Sequence, residues 1–193
     1  MKDRWQQNIF DAAPTLYKQS HWPMPKTCMC WGITCGDGWH DIILDLSIEL
    51  EPYAKSHGLH AVQVKEKFGG LRFNCIGYPD FGSDAREVVL GLIRKACSES
   101  ARTCETCGAP GREREFSWIK TLCDKHALMN INDRLRGSLR YACAMHADAV
   151  RAHVEGDEEN YMVSVDRCNM YMTSVAKQRE ELEKNINDME NDN

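Results

Sequence analysis

Cys104-Glu105-Thr106-Cys107-Gly108, answered after fifteen residues between Cys107 and Cys123 by Cys123-Asp124-Lys125-His126, decides how the chain is built. Two thiols two residues apart can turn both sulfurs toward one point, and a glycine directly after the second allows the tight backbone turn such a knuckle needs. Cys123 and His126 fall where a helix is predicted to begin, so they project from adjacent first-turn positions. Three thiolates and one imidazole make a closed tetrahedral set that suits Zn²⁺ and leaves no open position for substrate. The expected metal is therefore structural. Cys104, Cys107, Cys123 and His126 staple a short ribbon that has too few apolar residues to fold alone.

The 193 residues suffice for one ordinary domain plus an extension, or for two small domains. A hydrophobic content of 42% with 27% charged residues is that of a globular chain. Ten cysteines would suggest disulfides in a secreted protein, but the N-terminus from Met1 to Gln7 has no apolar run of the signal-peptide kind. No window resembles a membrane span. The expectation is a cytoplasmic, reducing location with no membrane partner. Charge is unevenly spread: Glu155 to Asn193 holds eleven acidic and four basic residues, net −7, which leaves +2 for the first 154 residues of a chain whose total is −5. That balance argues against wholesale coating of DNA but leaves room for a local basic patch.

Around the decisive stretch the pattern alternates between helix and hairpin. A short helix is predicted over about Trp5 to Ala12, followed by Pro14 and the proline-rich turn Trp22-Pro23-Met24-Pro25. Asp41 is placed to cap a helix carrying Ile42, Ile43, Leu46, Leu50 and Tyr53, with Pro52 predicting a late break. From His60 the period falls to two. Val62, Val64 and Glu66 alternate with Gln63, Lys65 and Lys67, and the strand returns after Phe68 as an antiparallel hairpin turning on Gly69-Gly70. Pro79 to Ser83 reads as loop, and Asp84 as the cap of a helix running to about Ser100 with Val88, Leu92, Ile93 and Ala96 on one face. Arg112 to Ile119 is expected to form a short hairpin or ribbon between the two ligand pairs. Knuckle, ribbon and ligand-bearing helix in that order resemble the treble-clef arrangement.

Beyond His126, Leu128, Ile131 and Leu135 continue a helix with a possible bend at Gly137. Ala142, Ala144, Ala147, Ala149 and Ala152 then supply small positions up to a turn at Gly156-Asp157. Tyr161, Val165, Cys168, Met172, Val175, Leu182, Ile186 and Met189 keep a 4-3 rhythm broken only at Arg179, the mark of a coiled-coil seam. The seam either folds back on the alanine-rich helix, the preferred reading, or pairs with a second copy through residues 161–189.

Four clusters are candidates for chemistry. The metal quartet is the most specific. Cys28, Cys30 and Cys35, with His40 nearby, fit no common zinc spacing and read better as free thiols than as a second site. The hairpin offers Lys65, Lys67 and Arg72 around Gly69 and Gly70, whose backbone N–H groups are sterically open to an anion, with Phe68 or Phe73 available to stack on a base. Its plainer reading is a Gly-Gly hairpin with solvated basic residues. Trp39 is a further candidate contact for a ligand, or else a core residue. Asp37, His40 and Asp41 would serve a metal-assisted hydrolase or nuclease, but a tight turn and helix cap explain them more simply. No nucleophile elbow, Walker loop, zincin or dinucleotide fingerprint occurs.

Gly36-Asp37-Gly38-Trp39, Gln63 to Phe73, and Cys104 to Gly111 with Thr121 to His126 together resemble a group of small proteins of bacteriophages and prophages. The likeness covers roughly residues 28 to 127. It implies phage origin and the cytoplasm of a host cell, and brings no activity with it. The expectation is an α+β fold: a zinc-stapled body over 1–127 with a helical, coiled-coil-like extension over 128–193. Its function is expected to be binding or regulation of a host protein or phosphate-bearing ligand, more in keeping with a binding protein than an enzyme. The alternatives are nucleic-acid binding, with Arg112, Arg114 and Lys120 added to the hairpin surface, and the hydrolase built on Asp37, His40 and Asp41.

Overall fold

The computed structural model describes residues 1–77, 83–116 and 118–191, and the chain divides into two compact units, Met1–Cys123 and Asp124–Asn193. The first unit runs α1 (Asp3–Ala12), β1 (Ile33–Thr34), α2 (His40–His57), β2 (His60–Lys67), β3 (Gly70–Ile76), α3 (Ser83–Ser100), β4 (Arg112–Arg114) and β5 (Lys120–Leu122). Strand β1 pairs parallel to β2, β2 pairs antiparallel to β3, and β4-β5 forms a separate antiparallel ribbon. The fold class is α+β, as the sequence predicts.

One hydrophobic core unites α1, α2, α3 and one face of the three-stranded sheet. Ile9, Ile43, Leu46, Leu50, Val64, Leu71, Phe73 and Val89 all lie in it. The apolar period of α2 supplies its largest share, each fully buried Ile or Leu contributing about 1.5–3 kcal/mol. Glu51 enters this core to serve a backbone need: its carboxylate accepts the N–H groups of Thr15 and Leu16 at 3.2 and 3.0 Å, where the chain turns after α1. Burial works against the Glu51 charge, but the Thr15 hydroxyl, the Leu16 and Thr15 N–H groups and Lys55 outweigh it and hold its pKa below the usual glutamate value.

Several local expectations shift. Helix α2 starts at His40, so Asp41 lies inside the first turn and its side chain meets His40 instead of capping. The helix continues through Pro52 to His57; the N–H that Pro52 lacks would have served the carbonyl of Ile48, a half-exposed residue. Helix α3 begins at Ser83, which places Asp84 within its first turn, and the predicted loop before it falls, up to residue 82, outside the described residues.

The hairpin turns on Phe68-Gly69, not Gly69-Gly70. Both turn residues have positive φ, 53° and 74°, the mark of a type I′ turn, and Gly70 is already a strand residue paired with Lys67. Val62 is the extra residue of a β-bulge between Ala61 and Gln63. The bulge turns both Ala61 and Val64, three apart, into the core, which strict alternation forbids.

The second unit is a hairpin of α4 (Asp124–Glu155) and α5 (Glu158–Asn191). Helix α4 passes Gly137 without interruption. Gly156 takes positive φ at the turn, and Asp157 starts α5 by accepting the Asn160 N–H at 3.1 Å. Between the helices Cys168 Sγ meets the Ala142 carbonyl at 3.5 Å, the Tyr141 and Tyr171 rings stack at 5.2 Å, and Arg134 grips Glu181 at 3.2 and 3.3 Å. Buried Gln178 donates to Ser138 Oγ at 3.1 Å. The seam is thus rotated from the expected one. Tyr161, Cys168, Val175 and Leu182 keep their places, but Tyr171 and Gln178 face α4 while Met172 and Ile186 stand 48% and 38% exposed. Ser138 and Gln178 supply a polar match that apolar counting passes over. The Met189 side chain lies outside the described residues. No helix among the described residues is long and apolar enough to cross a membrane.

Candidate metal centre and the loops around it

The ligand atoms of Cys104, Cys107, Cys123 and His126 lie within 4.8 Å of one another. Thiolates about 2.3 Å from a common tetrahedral ion stand about 3.8 Å apart. The Cys107 and Cys123 sulfurs are separated by 3.8 Å. Three soft sulfur donors and one imidazole nitrogen at this spacing fit a bound metal ion, and the quartet is the one such group among the described residues.

The knuckle is shaped by its own backbone. Gly108, at φ 76°, donates its N–H to the Cys104 carbonyl at 2.9 Å, and Cys104 N–H reaches the Ala109 carbonyl at 2.8 Å. Burial alone would push the Cys104 thiol up, but backbone N–H groups of Cys123, Cys107 and Thr106 directed at its sulfur bring its pKa below the ordinary cysteine value. The sulfur is therefore set up to bind as thiolate. Cys104 is buried and Cys107 exposed, with Cys123 and His126 between these extremes.

Glu105, inside the knuckle, organises what surrounds it. Its carboxylate accepts the Gly36 N–H at 2.9 Å through one oxygen and the Lys120 ammonium at 3.0 Å through the other. Its backbone accepts from Gly38 N–H at 2.8 Å and donates to the Thr121 carbonyl at 3.0 Å. Partial burial opposes the Lys120 charge, but Glu105 and then Glu66 outweigh it and hold its pKa above the usual lysine value. A Cβ on Gly36 would overlap the Glu105 carbonyl oxygen, and one on Gly38 would overlap the Cys104 carbonyl oxygen. Neither glycine has positive φ. Both are small because the knuckle backbone lies against them.

Trp39 is fully buried and its indole N–H donates to the Thr103 carbonyl at 2.7 Å. It has no surface to offer a ligand, and the core reading of this residue holds. The hairpin glycines are likewise engaged. Gly69 N–H donates to Glu66 at 2.8 Å, and the Gly69 carbonyl accepts from Thr121 Oγ1 at 2.6 Å. A Cβ on Gly69 would come within 3.2 Å of that hydroxyl oxygen. The expected anion cradle at Gly69 and Gly70 is therefore replaced by a dock for the ribbon.

Lys65, Lys67 and Arg72 do come together. Lys65 sits opposite Arg72 in the ladder and next to Thr34 of β1. With Gln63, Lys67 and Asn74 they form the outward face of the sheet, the inward positions being Ala61, Val64, Leu71, Phe73 and Cys75. No carboxylate stands among these outward positions. Arg114 is buried, with its Nε at 3.3 Å from the Leu122 carbonyl, and Lys120 lies between Glu105 and Glu66, so neither adds to a basic surface.

Asp37, His40 and Asp41 border one cleft of about 310 Å³ beside the knuckle, together with Lys2, Trp5 and Cys107. Each is already occupied. Lys2 binds Asp37 through both its backbone N–H at 2.8 Å and its ammonium at 3.0 Å, which outweighs burial and keeps the Asp37 pKa low. The His40 ring nitrogens lie 2.7 Å from Asp41 and 2.9 Å from Asn8. Cys28, Cys30 and Cys35 range from exposed to buried and form no donor group; burial pushes the Cys35 thiol strongly up.

Sequence reasoning missed Glu105, Glu66 and Thr121, whose roles depend on contacts 52 to 69 residues away. Only the paired glycines flanking Asp37 hinted that backbone would approach there. Compared with protein-family models, with curated proteins and with solved structures, the chain matches none of them.

Proposed function

We propose that the protein is a non-enzymatic, zinc-stapled binding module that takes a phosphate-bearing ligand on the outward face of its three-stranded sheet. Zinc is the natural occupant of a closed Cys₃His set, and it ties down the ribbon on which the sheet's hairpin docks through Thr121. The observation that carries the reading is electrostatic. Lys65, Lys67 and Arg72 share a face without a carboxylate, whereas Lys2, Lys55, Arg94, Lys120, Arg134 and Arg179 are each within salt-bridge reach of one. Three such cations favour an anion and make its binding depend on salt.

Heparin affinity against salt tests this. The expected slope of log K on log salt is about −2 to −3 for three contacts. The Lys65→Glu, Arg72→Glu double variant should lower affinity at least roughly tenfold and flatten the slope by about 2. An unchanged slope in a folded, metal-loaded variant rules out this face.

A further inference from the structure

We infer that the ligand of this face is a single-stranded nucleic acid whose bases stack on Phe68 and Trp118; the inference rests on the binding reading above and narrows it. Two exposed aromatic rings meet at the hairpin turn that ends the basic face: Phe68, 56% exposed, belongs to the turn, and Trp118, 58% exposed, is anchored from the opposite side of β2 through Glu66. Both are fixed through one carboxylate. Glu66 accepts the Trp118 indole N–H at 3.1 Å on one oxygen and the Gly69 N–H at 2.8 Å on the other, which locks the turn carrying Phe68. The rings are therefore held in place although they are wet.

The backbone at Phe68 points the same way. A φ of 53° is a conformation that glycine or asparagine adopts cheaply and a bulky side chain does not. More than half of Phe68 nevertheless faces solvent, so most of the ring is presented outward from the turn. Lys67 Nζ lies over the ring, 5.0 Å from its centroid, so one face carries a cation and the other is left for a base. Lys65 and Arg72 extend the positive track along the sheet.

A ring beside a track of cations, with a second ring across the turn, suits a single strand: every base has a π-face, and the phosphates follow the charge. A duplex hides those faces in its own stack, so it should bind less well. An acidic peptide would use the cations but would gain nothing from the rings.

Fluorescence anisotropy of labelled oligothymidylate and oligouridylate of roughly 16 nucleotides, with the matching duplex and heparin as competitors, decides the matter. The full chain should bind either or both single strands more tightly than the duplex. Phe68→Gly, which suits the left-handed turn, and Trp118→Ala should each weaken single-strand binding by roughly tenfold and leave heparin retention unchanged. Trp118→Phe, which keeps a ring, should recover most of the affinity. Metal content and far-UV circular dichroism equal to wild type verify the fold of each variant. If the ring variants bind oligonucleotide as wild type does, or the duplex binds more tightly, the stacking inference fails while the anion reading stands. If the wild type binds neither oligonucleotide nor heparin at low salt, both fail.

Discussion

The two units of this chain achieve order by different means. The first buries large side chains: Trp39, Ile43, Leu50, Leu59 and Leu71 are all essentially inaccessible, and Cys104, Cys107 and Cys123, three of the four residues that could hold a metal, flank its last ribbon. Among the residues the second buries are Ala142, Ala149 and Ala152, whose small side chains let helices approach closely but remove little apolar surface from water. Its register is set by polar and aromatic pairs, Gln178 with Ser138, Arg134 with Glu181 and Tyr141 on Tyr171. A body held by core and metal should fail abruptly when either is removed. A hairpin held by helix propensity and local pairs should respond to propensity.

Removing the metal should have the largest effect. Metal binding in small structural sites is worth about 10–16 kcal/mol, comparable with the whole stability of a domain, about 5–15 kcal/mol. All five tryptophans precede residue 124, so their emission reports on the body alone. A strong chelator, or Cys104→Ser, is expected to shift that emission to the red while most ellipticity at 222 nm survives. Parallel loss of both signals would show that the hairpin depends on the body for its helices.

Next comes a single methyl group placed in each unit. Gly38→Ala should cost about 1–3 kcal/mol by overpacking the knuckle and weaken metal retention, read by chelator competition. Gly137→Ala lies in mid-helix with nothing within 4 Å of its added carbon. It should stabilise the hairpin by about 1 kcal/mol in urea melts followed at 222 nm. The same substitution thus has opposite signs in the two regions, and equal signs would erase the distinction.

A smaller contrast concerns acid. The folded pKa of Glu51 lies below its ordinary value of 4.5. Its contribution to the body is therefore fully present above that ordinary value and disappears as pH falls through the lower, folded one. Tryptophan-detected stability should decline in that window, and Glu51→Gln should flatten the decline. An identical pH profile in the variant would mean that other carboxylates set it.

The metal quartet was legible in the sequence because its spacing carries the chemistry locally, and the alanine-rich helix with its turn at Gly156 was legible for the same reason. What escaped depends on contacts between distant residues. Gly36 and Gly38 resemble ordinary turn residues until the knuckle is laid against them. Gly69 and Gly70 looked open to an anion because Thr121, which takes the Gly69 carbonyl, is 52 residues away. Val62 fits an unbroken alternation in the sequence, where nothing local marks the bulge. The α5 seam lies one flank away from the hydrophobic rhythm because that rhythm leaves out a glutamine that buries against a serine.

Glu105 joins the loop at Gly36, the ribbon at Lys120 and the metal knuckle through one side chain and its own peptide groups. Such a junction has an evolutionary corollary: its parts are inherited together or released together. A descendant that lost Cys104 and Cys107 would no longer need bare backbone at positions 36 and 38, and drift should soon fill both with larger residues. A descendant that kept the thiols should tolerate change almost anywhere on the helical hairpin before it tolerates a methyl group at either glycine.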